Sequence, residues 1–186
     1  MNIFMQPMID ELKKDNGGHI CYMYDNPTKY IETVVAFIVL GITHGEQVFL
    51  IENDRNMLHI NKKLDKQLSS EQRNNLHFMN SFDFYWANGD FHPHTISHYF
   101  SRKIGSFIIN GVPIRTWGHV EWGDPEGIGN KLEEFEKIAD QLVNGQGIIS
   151  VCAYDANLIP ATWKSLLINS HGVTLTDGEI IYSTCP

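Results

Sequence analysis

His19-Ile20-Cys21-Tyr22-Met23-Tyr24-Asp25-Asn26-Pro27 is an apolar run that stops at a polar turn. The segment 28–44 behind it repeats Tyr30, Val34, Phe37, Ile38 and Ile42 at helical spacing before Gly45. A strand, a turn and a helix in that order make the first half of a βα unit. Open α/β sheets hold ligands in the crevice beyond the carboxyl ends of their strands, so the first candidate pocket lies at Tyr24 to Asn26.

Upstream, residues 1–16 read as an N-terminal helical extension through Phe4, Met8 and Leu12, ended by Gly17-Gly18, with 17–186 forming one domain. Downstream, 46–51 (EQVFLI) has the β-branched and aromatic content of a buried strand. Glu52, Asn53 and Asp54 close that strand and cap a helix carrying Met57, Leu58, Leu64 and Leu68; residues 76–80 form a third strand. The stretch 81–111 is aromatic-rich, with a loop at 87–93 and a helix from there to about 109. A strand at 112–122, a helix at 130–143, a strand at 147–153 and a helix from Pro160 to about 170 follow. A hairpin pairing 172–175 with 179–182 around Asp177-Gly178 closes the chain. Strands alternating with helices of this length predict a three-layer α/β fold, a mostly parallel sheet with helices on both faces.

Composition narrows the function. At 186 residues, 42% of them hydrophobic, the chain can bury a sizeable core. A net charge of -8 leaves no excess of Lys and Arg to neutralise phosphates, so nucleic acid is not expected as a direct partner. Cys21, Cys152 and Cys185 are an odd number at wide spacing, which suits a reducing compartment. The run 34–42 is far shorter than the roughly 20 apolar residues of a membrane span. These features lead us to expect a soluble cytoplasmic protein with no membrane association.

HICYMYD (19–25), GITHGEQVFLIEND (41–54), GHVEW (118–122), the Phe135-Glu136 pair, VCAYD (151–155) and SHGV (170–173) together resemble the MEDS sensory domains, over roughly residues 17–182. Those domains are proposed detectors of simple hydrocarbon derivatives in prokaryotic signalling. The helix ending in HGE before VFLIE also resembles the RecA-like core of circadian-clock ATPases. The resemblance implies a RecA-like (Rossmann-like) sheet and a sensory role. It carries site positions onto His19, Cys21, Tyr22, Glu121, Trp122, Tyr154, Asp155 and His171.

The first turn departs from a nucleotide-hydrolysing ancestor. A phosphate-binding loop needs glycines whose N–H groups cradle phosphate, then Lys and Ser or Thr. Tyr24-Asp25-Asn26-Pro27-Thr28-Lys29 has no glycine, places a carboxylate where phosphate would sit, and inserts a proline without an N–H. ATP hydrolysis is therefore not expected, and the segment 123–129 lacks the G-x-G-x-x-G spacing of a dinucleotide site.

In a parallel sheet the strand ends share one edge. Tyr24, Trp122 and Tyr154 can wall a pocket there while Asp25, Glu52, Glu121 and Asp155 supply polar contacts. Asp25 serves equally as the cap of the following helix, and Tyr154 and Asp155 as turn residues. His19 and Cys21 fall on one strand face, as two metal ligands or a base and nucleophile would. Third and fourth ligands are not visible, although Glu52 or Cys152 can approach, so a buried histidine beside a packing cysteine is the plainer reading. No cofactor is called for. His92, His94 and His98 read as exposed loop and helix surface, and Phe82 to Trp86 as core or a lid over the pocket.

Three classes of function fit: a non-catalytic small-molecule sensor in signal transduction or transcriptional control, a degenerate RecA-like interaction module, and an enzyme using Asp25, Glu52 or Glu121 as acid or base. The sequence carries no helix-turn-helix and no kinase signature. A sensor would therefore signal through a regulatory partner such as a kinase, a regulator or an anti-sigma system, or through a homodimer.

Overall fold

The computed structural model describes residues 5–87, 89–122 and 128–182. In chain order the elements are α1 (Met5–Lys14), β1 (Gly18–Tyr24), α2 (Pro27–Thr43), β2 (Gln47–Glu52), α3 (Asp54–Leu64), α4 (Ser70–Arg73), β3 (Leu76–Asn80) and α5 (Ser81–Tyr85). There follow α6 (Pro93–Ile109), β4 (Ile114–His119), α7 (Ile128–Val143), β5 (Ile149–Asp155), α8 (Ala161–Asn169), β6 (Val173–Thr176) and β7 (Ile180–Tyr182). The seven strands form one sheet in the order β3-β2-β4-β5-β1-β6-β7. All pairings are parallel except β6 with β7, the expected C-terminal hairpin.

The connections explain the layers. From β1 the chain moves through β2 to β3 in one direction along the sheet, and α2 and α3 on that path cover one face. It then returns through β4 and β5 to β6, and α5, α6, α7 and α8 cover the other. A single crossover hand requires this switch of faces whenever the direction reverses. Helix α1, read as an extension, packs into the first face through Met5, Met8, Ile9 and Leu12, all buried.

With both faces covered, the central strands bury nearly every residue, which is why their sequences read as continuous apolar runs. Within β1 the alternation is still physical: Ile20, Tyr22 and Tyr24 join the core under α2, while Cys21 and Met23 join the core under α6 and α7. Among the described residues no helix is long and apolar enough to cross a membrane.

Several boundaries differ from the sequence expectation, each for a local reason. Helix α2 starts at Pro27, and its N-cap is Asn26, not Asp25; the Asn26 side chain accepts the Thr28 and Lys29 amides at 2.9 and 3.1 Å. Glu46 precedes β2 instead of opening it, because its carboxylate is held by Arg115. The strand expected over 112–122 stops at His119, so Glu121 and Trp122 lie just beyond β4. Helix α4 has a capping box in which Ser69 and Gln72 satisfy each other's amides. Helix α5 is capped by Asn80 and supplies the buried Phe84 and Tyr85. Neither short helix was expected. Phe4, Gly123, Asp124, Pro125, Gly127 and Cys185 lie outside the described residues.

Candidate functional site

β2, β4, β5 and β1 are neighbours, and their registers bring the carboxyl ends level: Ile51 lies beside Gly118, His119 beside Ala153, and Tyr24 beside Asp155. A hollow of about 600 Å³ opens there, lined by Tyr24, His119, Glu121, Trp122, Asp155 and Leu158 among others. Its floor is a buried polar chain. Tyr24 Oη lies 2.8 Å from His119 Nε2, and His119 Nδ1 lies 2.8 Å from Glu52 Oε1. Glu52 Oε2 accepts the Tyr30 hydroxyl, which in turn accepts the Trp117 indole N–H at 3.1 Å.

Because the carboxylate can only accept, Nδ1 of His119 carries the proton, and in the neutral ring Nε2 accepts from the Tyr24 hydroxyl. Burial by itself would lower the His119 pKa, but the Glu52 hydrogen bond and charge outweigh it and the value is raised. The Tyr24 phenol is raised too, by burial first and then by the charges of Asp155 and Glu52. It is a hydrogen-bonding group, poorly suited to act as a nucleophile. At the rim, Glu121 accepts Asn53 Nδ2 at 2.9 Å and the Ser81 hydroxyl at 2.5 Å, so both its oxygens are fixed. Asn53 holds this position because it also caps α3.

The β1–α2 turn is closed in a different way from a phosphate loop. Asp177 Oδ2, from the β6–β7 turn, accepts the amides of Asp25 and Asn26 at 3.0 and 2.9 Å. With Asn26 capping the next amides, the N–H groups nearest the hollow are already bound to side chains. Asp25 itself is exposed and its carboxyl meets Asp177 rather than the hollow.

The eleven residues proposed from sequence separate into distinct places. Tyr24, Glu121, Trp122 and Asp155 line the hollow, and Glu52 anchors its floor. Tyr22 lies beneath, stacked on Tyr30 and bonded to Asp177 Oδ1 at 2.5 Å. Tyr154 points to the opposite face, fully buried, with its ring 6.0 Å from Trp122. His19, Cys21 and His171 lie deeper, toward the amino ends of β1 and β6 on the α7 side. His92, His94 and His98 make no metal-like group among the described residues. His92 caps α6, and His94 sits on the surface 3.1 Å from Glu134.

Sequence reading missed His119, Tyr30 and Asn53 in the hollow and Asp177 behind it. The signal for His119 was its place in GHVEW, two residues before a carboxylate at a strand end. Two groups of side chains have metal-ligating types within 4.8 Å of one another: Glu52, His119 and Glu121 in the hollow, and His19, Glu136, Cys152 and His171 inside the molecule.

The family model described as the MEDS (MEthanogen/methylotroph, DcmR Sensory) domain matches residues 18–172. The chain belongs to the MEDS family. Its fold also aligns with the structure of C. elegans PCH-2, at 11% identity and a TM-score of 0.32. That alignment covers 84% of this chain and 43% of PCH-2. No curated protein matches the sequence. The MEDS match runs from the first residue of β1 to the residue before β6, and so contains every lining residue of the hollow.

Proposed function

We propose that this MEDS domain is a non-catalytic receptor that binds a small organic molecule, a hydrocarbon derivative bearing one polar group, in the hollow at the strand ends. The observation that carries this reading is the buried Tyr24–His119–Glu52 chain facing a cavity walled by Trp122 and Leu158. Trp122 and Leu158 offer apolar contact, the Tyr24–His119 pair offers a fixed donor and acceptor, and Arg55, Glu121 and Asp155 add polar lining, a mixture that suits a small organic molecule bearing a polar group. The occupied amides of the β1–α2 turn argue against a nucleotide phosphate. Ligand binding would shift the balance between two arrangements of the segments around the hollow and so alter contact with a regulatory partner.

A thermal-shift panel of short alcohols, aldehydes, acids and haloalkanes tests it, with Mg-ATP as control. At least one organic compound is expected to raise the melting temperature, and His119→Gln, still melting cooperatively, to lose that response. Stabilisation by Mg-ATP alone would overturn the reading.

One observation favours a second reading. His119 held by Glu52 is a base with its orienting carboxylate, the arrangement an acid–base enzyme uses. Recovering the stabilising compound chemically altered after incubation would support the enzyme, and recovering it intact the receptor.

A further inference from the structure

Helix α7 is amphipathic, yet Glu136 lies on its buried face with Leu132 and Phe135, and its side chain is 0% exposed. A carboxylate removed from water without a partner costs several kcal/mol. Glu136 pairs with no Lys or Arg among the described residues; its contacts are His171, His19 and the Cys152 thiol. What surrounds it is a set of lone-pair donors: Glu136 Oε2 lies 3.0 Å from His171 Nε2 and 3.4 Å from His19 Nε2, and His19 Nε2 lies 3.2 Å from Cys152 Sγ.

We propose that His19, Glu136, Cys152 and His171 form a buried tetrahedral site for a divalent cation of the zinc type. Zinc–nitrogen, –oxygen and –sulfur bonds of about 2.0–2.3 Å imply ligand–ligand edges of roughly 3.3–3.7 Å in a tetrahedron. The His19–Glu136 separation of 3.4 Å lies within that range, and the 3.0 and 3.2 Å separations fall slightly short of it, so ion binding needs only a small outward adjustment. The imidazoles have the orientation a metal needs. His171 Nδ1 lies 2.7 Å from Leu167 O and donates to it, so Nε2, which pairs with Glu136 in the metal-free chain, is the atom that would give up its proton and bind the cation. His19 Nδ1 faces the Asp140 carboxylate at 3.8 Å, leaving Nε2 for the cluster.

Charge favours the same reading, because a thiolate, a carboxylate, two neutral imidazoles and a dication sum to zero. The donor set mixes nitrogen, oxygen and sulfur, which suits zinc and not the all-oxygen preference of magnesium or calcium. The hollow's own trio is unlike it: the oxygens of Glu52 and Glu121 receive N–H or O–H groups throughout, so they are already satisfied as a hydrogen-bonding floor.

The four ligands come from β1, α7, β5 and the turn between α8 and β6. A cation there ties the α7 layer and the last parallel strand to the centre of the sheet. With four protein ligands, all buried, the site is structural, and loading is coupled to folding. It stands apart from the hollow and does not depend on the ligand reading.

The test uses the full chain, stripped with chelator and titrated with Zn(II) or Co(II) alone. Expected are one metal per chain, a rise in melting temperature, and a Co(II) spectrum with tetrahedral d–d bands and a thiolate charge-transfer band. Cys152→Ser should abolish the charge-transfer band. Cys152→Ser and Glu136→Gln should each weaken binding by more than the roughly 10- to 100-fold that loss of an outer-shell partner costs. Should the variants not fold, X-ray absorption on zinc-loaded wild type decides, with one sulfur and two imidazoles expected. No bound metal and no stabilisation, a different ligand count, or unchanged binding in both folded variants would overturn the site.

Discussion

His119 Nδ1 lies 2.8 Å from Glu52 Oε1, with both residues buried at the end of neighbouring strands. The pair gives the hollow a pH response. The folded-state pKa of His119 is raised above the ordinary value of about 6.5, Glu52 overcoming the opposing effect of burial. Folding therefore favours the protonated ring, and its contribution to stability is complete below about pH 6.5 and lost as pH rises through the higher folded value. In Glu52→Gln the largest effect opposing burial is gone and only Glu121 and Asp155 still counter it, so an NMR titration should find the His119 pKa below that of the wild type. The stability gap between wild type and Glu52→Gln should narrow as pH is raised from 6 to 9. A gap that widens would contradict the assignment.

Gly41, in the last turn of α2, should resist replacement by alanine. Helix propensity alone predicts a gain of about 1 kcal/mol for Gly41→Ala. The added Cβ would stand 2.6 Å from Arg115 Cδ and Nε and 2.9 Å from Val48 Cγ2. Arg115 cannot withdraw, because its guanidinium is bidentate to Glu46 at 2.5 and 2.7 Å and donates to Phe37 O at 3.2 Å. Overpacking of this kind costs roughly 1–3 kcal/mol, so the urea midpoint of Gly41→Ala should fall. An unchanged or higher midpoint would mean that Arg115 is free to move.

The fold was largely legible because a two-sided parallel sheet writes itself as apolar runs separated by amphipathic helices. Residues 76–80 and the Asp177-Gly178 hairpin are read from sequence at their observed places. What sequence could not supply was which face each side chain takes across strands. Tyr24 and Tyr154 both stand at strand ends, yet they point to opposite layers, because β1 and β5 put them at opposite phases of the pleat. His19 with Cys152 is the same lesson reversed: 133 residues apart, they meet only because β1 and β5 are neighbours. Glu136 reads as one more charge in a helix rich in Glu and Lys, and only the packing of α7 reveals it as buried.

Cys21 and Cys152 should be inert to alkylation in the folded, chelator-stripped chain, where no cation holds Cys152 as a thiolate. Burial pushes both thiols well above the usual range, with the Glu136 charge adding to it, so the reactive thiolate is scarce and shielded. Peptide mass spectrometry after iodoacetamide treatment should find neither labelled natively and both labelled in denaturant. Rapid native labelling of Cys152 would show that the α7 layer opens readily.

Asp177 should matter more to stability than its partial exposure suggests, and its neighbour Asp25 should act in the opposite sense. Asp177 accepts the amides of Asp25 and Asn26 and the Tyr22 hydroxyl, tying the β6–β7 turn to the start of α2. Burial works against its charge, but the Tyr22 and backbone hydrogen bonds prevail and its pKa is lowered. Asp177→Asn is expected to cost about 1–2 kcal/mol, the lower part of the range for bonds to a charged group because solvent screens it. A depressed carboxyl contributes stability that is present above its unfolded value near 3.9 and lost as pH falls through the folded value. The wild-type advantage over Asp177→Asn should thus be constant from pH 5 to 7 and disappear in stronger acid. The Asp25 carboxyl, hydrogen-bonded to Asp177, has its pKa raised, so at neutral pH it is ionised against a like charge. Asp25→Asn should therefore stabilise the chain at pH 7, and the gain should shrink with added salt as screening weakens the repulsion. Urea unfolding of the two variants at low and high salt measures both signs, and a loss of stability in Asp25→Asn would mean that the two carboxyls are held by a shared proton even at neutral pH.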